Sequence, residues 1–195
     1  MSERKQREKE EFKAQVIKVA SSLIKQEGLE GLSLRKLAKG LEYSTTKLYQ
    51  EFGNKQDLIV FLAEDICQRQ NKRLQSVMGS ENPEEYILTI THEATCFYTE
   101  EPWSAQILAA VRFEEMPMPP SFKLASDISR NNFRALNLSE KTLDDLQNVT
   151  RSLMLGALSI LRPNSKKSEK ELVIKIIDDG MRLILAGVKS LQGNP

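Results

Sequence analysis

The chain has 195 residues, with 28 Lys+Arg against 27 Asp+Glu, one His, two Cys and 40% hydrophobic residues. That length suits one domain, or a small head on a larger body, and the apolar fraction is high enough for a packed core, which excludes wholesale disorder. No apolar run approaches the roughly 18 residues of a membrane span. The opening MSERKQREKEEFKAQ lacks the apolar stretch of a secretory signal. Cys67 and Cys96 have no CxxC partner, as befits reduced thiols rather than a disulfide or zinc framework. A cytoplasmic location without a membrane partner is therefore expected. Charge is unevenly spread. Residues 1–55 carry a net +4 and the remainder a net −3, as expected if only the front of the chain meets a polyanion.

In chain order, Phe12, Val16, Val19, Ala20 and Leu23 recur at helical spacing, with Ile17 and Ile24 widening the stripe. Gly28 and Gly31 are stop signals. Ser33 is a candidate N-cap for a short helix carrying Leu34, Leu37, Ala38 and Leu41. Glu42-Tyr43-Ser44 reads as a tight turn, and Ser44 caps a second short helix running to Phe52. Asn54 with Asp57 starts a long helix expected to reach about Met78. Asn82-Pro83-Glu84-Glu85 opens another, and the cap decides for helix over the strand-forming run Tyr86–Thr91. Pro102 opens the next, through Val111, and residues 114–120 (EEMPMPP) read as a loop. Ser139 caps a helix expected to end near Pro163, and Ser168 with Glu171 forms a capping box for the last one. The pattern predicts an all-α protein of about nine helices. The charge distribution sets a mildly basic front (1–55) apart from a mildly acidic remainder (56–195).

Residues 33–58 read SLRKLAKGLEYSTTKLYQEFGNKQDL. Two short helices separated by three residues, in a basic segment, have the layout of a helix-turn-helix. The second is too short to be stable alone and must be held by its neighbours. Thr45, Thr46 and Lys47 in its first turn are donors suited to base edges in a major groove. Tyr49, Gln50 and Lys55 can donate to phosphates, and the helix start after Ser33 adds backbone amides. The tail residues Arg4, Lys5, Arg7 and Lys9 alternate with acids, so a solvated end and a DNA-binding arm both stay open.

At this point the chain resembles the TetR family of bacterial one-component regulators. The resemblance rests on Gly31, LRKLAKGL, STTKLYQEF and GNKQDL, and covers roughly residues 10–60. It implies an N-terminal three-helix helix-turn-helix head (1–55), a helical ligand-binding and dimerisation body (56–195), DNA contacts for Ser33, Thr45, Thr46, Lys47, Tyr49, Gln50 and Lys55, and a homodimer bound to a double-stranded operator. Glu42 stands where the family usually has Gly, followed by Tyr43 where a small aliphatic is common. A left-handed Glu42 costs about 1 kcal/mol or more relative to Gly.

In the body, His92, Phe97, Trp103, Arg112, Phe113, Met116, Phe122, Phe133 and Met154 are candidates to line a pocket for a small, largely apolar effector. Equally, the apolar ones are residues that any helical core uses. A lone His without a second His, a Cys pair or a carboxylate cluster makes no metal site, and no cofactor is expected. Leu153, Gly156, Ala157 and Ile160 on one helix, and Ile177, Gly180, Ile184, Gly187 and Leu191 on the last, form stripes suited to a four-helix dimer interface. Packing onto the chain's own body is the competing explanation. The combined expectation is a ligand-released repressor and not an enzyme, since no phosphate loop or nucleophile–base pair is recognisable. A ligand-independent DNA-binding dimer whose body recognises a protein is the alternative.

Overall fold

A computed structural model describes residues 3–77, 79–111 and 119–192, with the side chains of 191 and 192 left aside. Within these residues the chain forms nine α-helices, one short 3₁₀ turn and no strand. They are α1 (Glu3–Glu27), α2 (Leu34–Leu41), α3 (Thr45–Phe52), α4 (Lys55–Leu74), α5 (Pro83–Glu100), α6 (Pro102–Ala110), α7 (Pro120–Arg134), α8 (Glu140–Leu158) and α9 (Lys167–Gln192), with the 3₁₀ turn at Leu29–Gly31.

The caps predicted from single residues form as hydrogen bonds. Ser33, Ser44 and Ser139 accept from the backbone N–H groups of Lys36, Lys47 and Thr142, each at 3.2 Å. Asn54 Oδ1 accepts from Gln56 and Asp57, and its amide donates to Asp57. Asn82 caps α5, which runs straight through Tyr86–Thr91.

Three boundaries differ from expectation. Helix α4 stops at Leu74 rather than near Met78, which lies outside the described residues. Beyond Leu74 the bonds tighten, with Ser76 and Val77 donating to Arg73 and Leu74, and the Ser76 hydroxyl also takes the Arg73 carbonyl. Helix α8 ends at Leu158, and a turn through Leu161 replaces its last predicted residues. Helix α9 begins one residue before Ser168, and the N–H of Lys166 donates to Glu169 Oε2 at 2.7 Å, so Glu169 takes the capping role assigned to Glu171. The loop expected at 114–120 falls mostly outside the described residues, and Pro120 already opens α7.

Helices α1, α2 and α3 enclose Val16, Ala20, Ile24, Leu37, Ala38 and Leu48, all essentially inaccessible. Gly40 is forced here by close approach, because a Cβ would lie 2.6 Å from Val19 Cγ1. Helix α4 joins the two parts: Leu58 and Leu62 are buried near its start, while Gln70 and Asn71 are buried near its end. Helix α1 also touches α6, so the head rests on the body.

Candidate nucleic-acid interface and body cavity

Helix α3 is short and two-sided. Leu48 and Phe52 are buried, whereas Thr45, Thr46, Tyr49 and Gln50 are exposed, with Tyr49 showing 53% of its surface. Ser33 is half-buried and spends its oxygen on the α2 cap. The two lysines have partners within the chain. Lys47 lies with its ammonium 3.8 Å from the Tyr43 ring centroid and 5.3 Å from that of Phe12, a cation–π cradle. Lys55 donates to the Leu29 carbonyl at 3.1 Å and ties the start of α4 to the turn after α1. Its ammonium is directed inward.

Tyr43 is the residue that spacing undervalued. With Phe12, Phe52 and Phe61 it forms a chain of ring contacts at 5.3–6.5 Å that links α1, the turn, α3 and α4. The turn itself is closed by a Tyr43 N–H bond to Ala38 O at 3.0 Å and a Glu42 N–H bond to Lys39 O at 3.3 Å. This is the left-handed helix stop normally served by glycine, and Glu42 adopts it at φ 58° and ψ 31°. Arg35 and Lys39, exposed on α2 beside the buried Leu34, Leu37 and Ala38, add positive charge that the motif reading passed over.

The body contains a cavity of about 280 Å³ walled by α4 to α8. Of the predicted lining, Phe122 and Met154 face it. Phe97 and Trp103 instead flank the Arg69 guanidinium, at 5.4 and 5.6 Å, and Phe133 is packed in the core. His92 is also elsewhere: its Nδ1 meets Asp178 Oδ2 at 2.9 Å and its Nε2 faces Cys96 Sγ at 3.5 Å, beside a separate cleft. Arg112, Phe113 and Met116 lie outside the described residues. The wall contains polar residues missed from sequence, notably Asn71, Gln147 and Thr150. A signal for two of them was present. Asn71 continues the Ile59, Ala63, Cys67 row and Thr150 the Leu143, Leu146 row, so each is a polar residue in core register.

Burial, with a contribution from Glu64, pushes the Cys67 thiol up to about 12, and burial pushes the Tyr98 phenol well above its ordinary value, so both are neutral. Among the described residues no group of three His, Cys, Asp or Glu is placed to hold a metal ion.

The stripes on α8 and α9 divide between two roles. Ala157 and Ile177 are buried inside the chain, and a Cβ on Gly180 would lie 2.7 Å from Leu153 Cδ2, so that pair is an internal crossing. Ile184 is half-buried. Gly156 and Gly187 face open space, and Val149 and Leu155 on α8, Ile160 in the turn after it, and Leu172 and Leu183 on α9 are exposed, Leu183 to 75%. The reason is that α9 packs on α5 and α8, leaving a second apolar face uncovered. The side chain of Leu191 lies outside the described residues.

A capped short helix with a buried apolar side and an exposed Thr-, Tyr- and Gln-bearing side, set on a helical body, is a helix-turn-helix regulator architecture. Residues 16–60 match the family of bacterial regulatory proteins called the tetR family. The tetracycline repressor protein class E of Escherichia coli is 43% identical over 58 residues, which span 30% of this chain and 28% of that protein. A TetR variant from Acinetobacter baumannii AYE in complex with minocycline shares the fold at TM-score 0.72 and 21% identity, covering 92% of this chain and 97% of that one. BioQ with its double-stranded DNA operator aligns at TM-score 0.64 and 16% identity, over 91% and 98%. Residues 16–60 thus carry the similarity to the tetR family, and over most of its length the chain shares the fold of these solved structures. Among the described residues no helix is long and apolar enough to cross a membrane.

Proposed function

We propose that the protein is a homodimeric repressor of transcription that binds a near-palindromic operator and releases it when a small, largely apolar effector enters the body. The observation that carries this reading is α3, whose exposed side offers Thr45, Thr46 and Gln50 to base edges and Tyr49 to phosphate while Leu48 and Phe52 anchor it. Ser33 adds the capped start of α2. Lys47 reaches DNA by leaving the Tyr43 ring, and Lys55 acts mainly by holding the head on α4. Residues 1–55 serve as the DNA-binding unit and 56–195 as the effector and dimer unit. Binding, rather than catalysis, is the task of both.

The related repressor, the operator-bound neighbour and the minocycline-bound neighbour support the three parts of this reading. The uncovered face of α8 and α9 supports a second copy. Gly156, in the last turn of α8, and Gly187, within α9, each lower helix propensity by up to about 1 kcal/mol, and among the described residues no neighbour accounts for either. A two-fold interface that needs close helix approach does. The two heads would then meet half-sites roughly 34–36 Å apart or somewhat further. Helix α4 runs from Lys55 at the head to Asn71 at the cavity, roughly 24 Å at 1.5 Å per residue. Small shifts at the cavity therefore reach the head through one rigid element. The effector acts only through its differential affinity for the two head spacings.

Selection of bound duplexes from a random pool, followed by titration at two salt concentrations, tests the proposal. A palindromic consensus with steep salt dependence is the expected result. Binding that ignores sequence would overturn it.

A further inference from the structure

The cavity is mostly apolar, with Leu74, Ile90, Leu108, Phe122, Met154 and Leu158 in its wall, but two buried polar atoms in that wall have no partner. Asn71 is 5% exposed, and its Nδ2 donates to the Ser121 carbonyl at 2.9 Å, which orients the amide and leaves Oδ1 unpaired. Thr150 is 7% exposed and its Oγ1 is likewise unpaired. Three other polar residues of the same wall have partners. The Thr91 hydroxyl donates to Ile87 O at 2.8 Å, Gln70 bonds to Tyr98, and Gln147 donates to Ser126 while accepting from Arg130. Among the described residues of this wall, the fully buried polar atoms without a partner are thus one acceptor and one hydroxyl.

Buried polar atoms are normally paired, and an unpaired one is costly to keep. A wall that holds two of them in a mostly apolar, ligand-sized space is built for a guest that completes them. Charge narrows the guest further. No Asp, Glu or Lys among the described residues lines the cavity, and the one charged residue that does, Arg151, is exposed. Among the described residues a cationic guest would be buried without a counter-charge, and an anionic one would have only the exposed Arg151.

We infer that Asn71 and Thr150 select an uncharged, largely apolar molecule carrying an N–H or O–H group, which donates to Asn71 Oδ1 while the Thr150 hydroxyl takes a second bond. The cavity sits at the lower edge of the roughly 300–1,000 Å³ usual for drug-sized ligands, so a compact, about two-ring body fits. This inference rests on the reading of the cavity as the effector site and adds the chemistry of the guest.

The test is calorimetric titration of the full chain, without DNA, with four probes on one apolar body at pH 7: 2-naphthol, 2-methoxynaphthalene, 2-naphthoate and 2-naphthylmethylammonium. 2-Naphthol should bind at least about tenfold more tightly than the ether or either ion. Thr150→Val and Asn71→Leu should each weaken 2-naphthol about fivefold or more and leave the ether unchanged. Tighter binding of an ion, equal binding of the ether, insensitivity to both substitutions, or no saturable binding of 2-naphthol would each overturn the inference. Thr150→Val keeps shape and volume, so the ligand-free melting temperature should hold or rise. A fall of several degrees would give Oγ1 a structural partner and also overturn it. DNA retention is measured separately. 2-Naphthol that binds without releasing operator DNA refutes the effector reading and leaves the guest chemistry standing, whereas operator binding with no naphthol binding does the reverse.

Discussion

Glu42 offers a direct test of how the helix-turn-helix is closed. Its backbone is left-handed at φ 58°, a conformation that costs an L-residue about 1–2 kcal/mol. Glu42→Gly removes that cost but gives the unfolded chain extra freedom worth about 0.4–1 kcal/mol. The net gain should be about 0.5–1 kcal/mol, or roughly 1–4 °C in melting temperature for a chain of this size. Glu42→Ala is the control, because it removes the charge but keeps the Cβ that causes the strain, and it should stay within about 0.5 kcal/mol of the parent. Urea unfolding of the three proteins at one fixed concentration, which holds any dimer linkage constant, separates the causes. Equal stabilisation by Ala and Gly would assign the effect to charge, and destabilisation by Gly would refute the strain argument. On DNA the two substitutions should tighten binding alike, since both remove the same negative charge beside the proposed phosphate contacts.

Three further outcomes are expected. Lys55→Met should cost about 1–2 kcal/mol in urea unfolding, from the lost bond to Leu29 O, while leaving the salt dependence of DNA binding unchanged; a slope lower by about one unit would make Lys55 a phosphate contact after all. Leu183→Glu should yield monomers in sedimentation velocity. Burying a Leu is worth about 1.5–3 kcal/mol, and the residue occurs twice across a two-fold axis, so the dissociation constant should rise about a hundredfold or more; an intact dimer would place the interface elsewhere. Glu64 governs the third. Burial raises its carboxyl pKa, but the Ser121 hydroxyl and N–H, with Gln68 and Lys13, outweigh that and hold it below its ordinary value. Its stabilising contribution is thus complete above the unfolded value of about 4.3 and is lost as pH falls through the lower folded value. Glu64→Gln should flatten the acid limb of a stability–pH profile, and an unchanged limb would remove Glu64 from the acid response.

Local features of this chain are written in residues three or four apart, and those were legible. Ser33, Ser44, Asn54, Asn82 and Ser139 cap helices because each oxygen needs only an N–H two or three residues ahead. The helix-turn-helix was recognisable for the same reason, its burial pattern of Leu34, Leu37, Ala38, Leu48 and Phe52 being set by helical period. Even the cost at Glu42 could be stated beforehand, because backbone sterics at one residue do not depend on distant contacts. What only the tertiary structure decided concerns pairs far apart in the chain. Lys47 meets Phe12, Lys55 meets Leu29 and His92 meets Asp178, and no periodicity carries those distances. An apolar stripe likewise shows that a face will be covered but not by what: Ala157 and Ile177 were covered by the chain itself, while Leu183 was left open. Asn71 and Thr150 sit in core register, yet only the closing of five helices around one space leaves their oxygens unpaired and turns two polar exceptions into a binding wall.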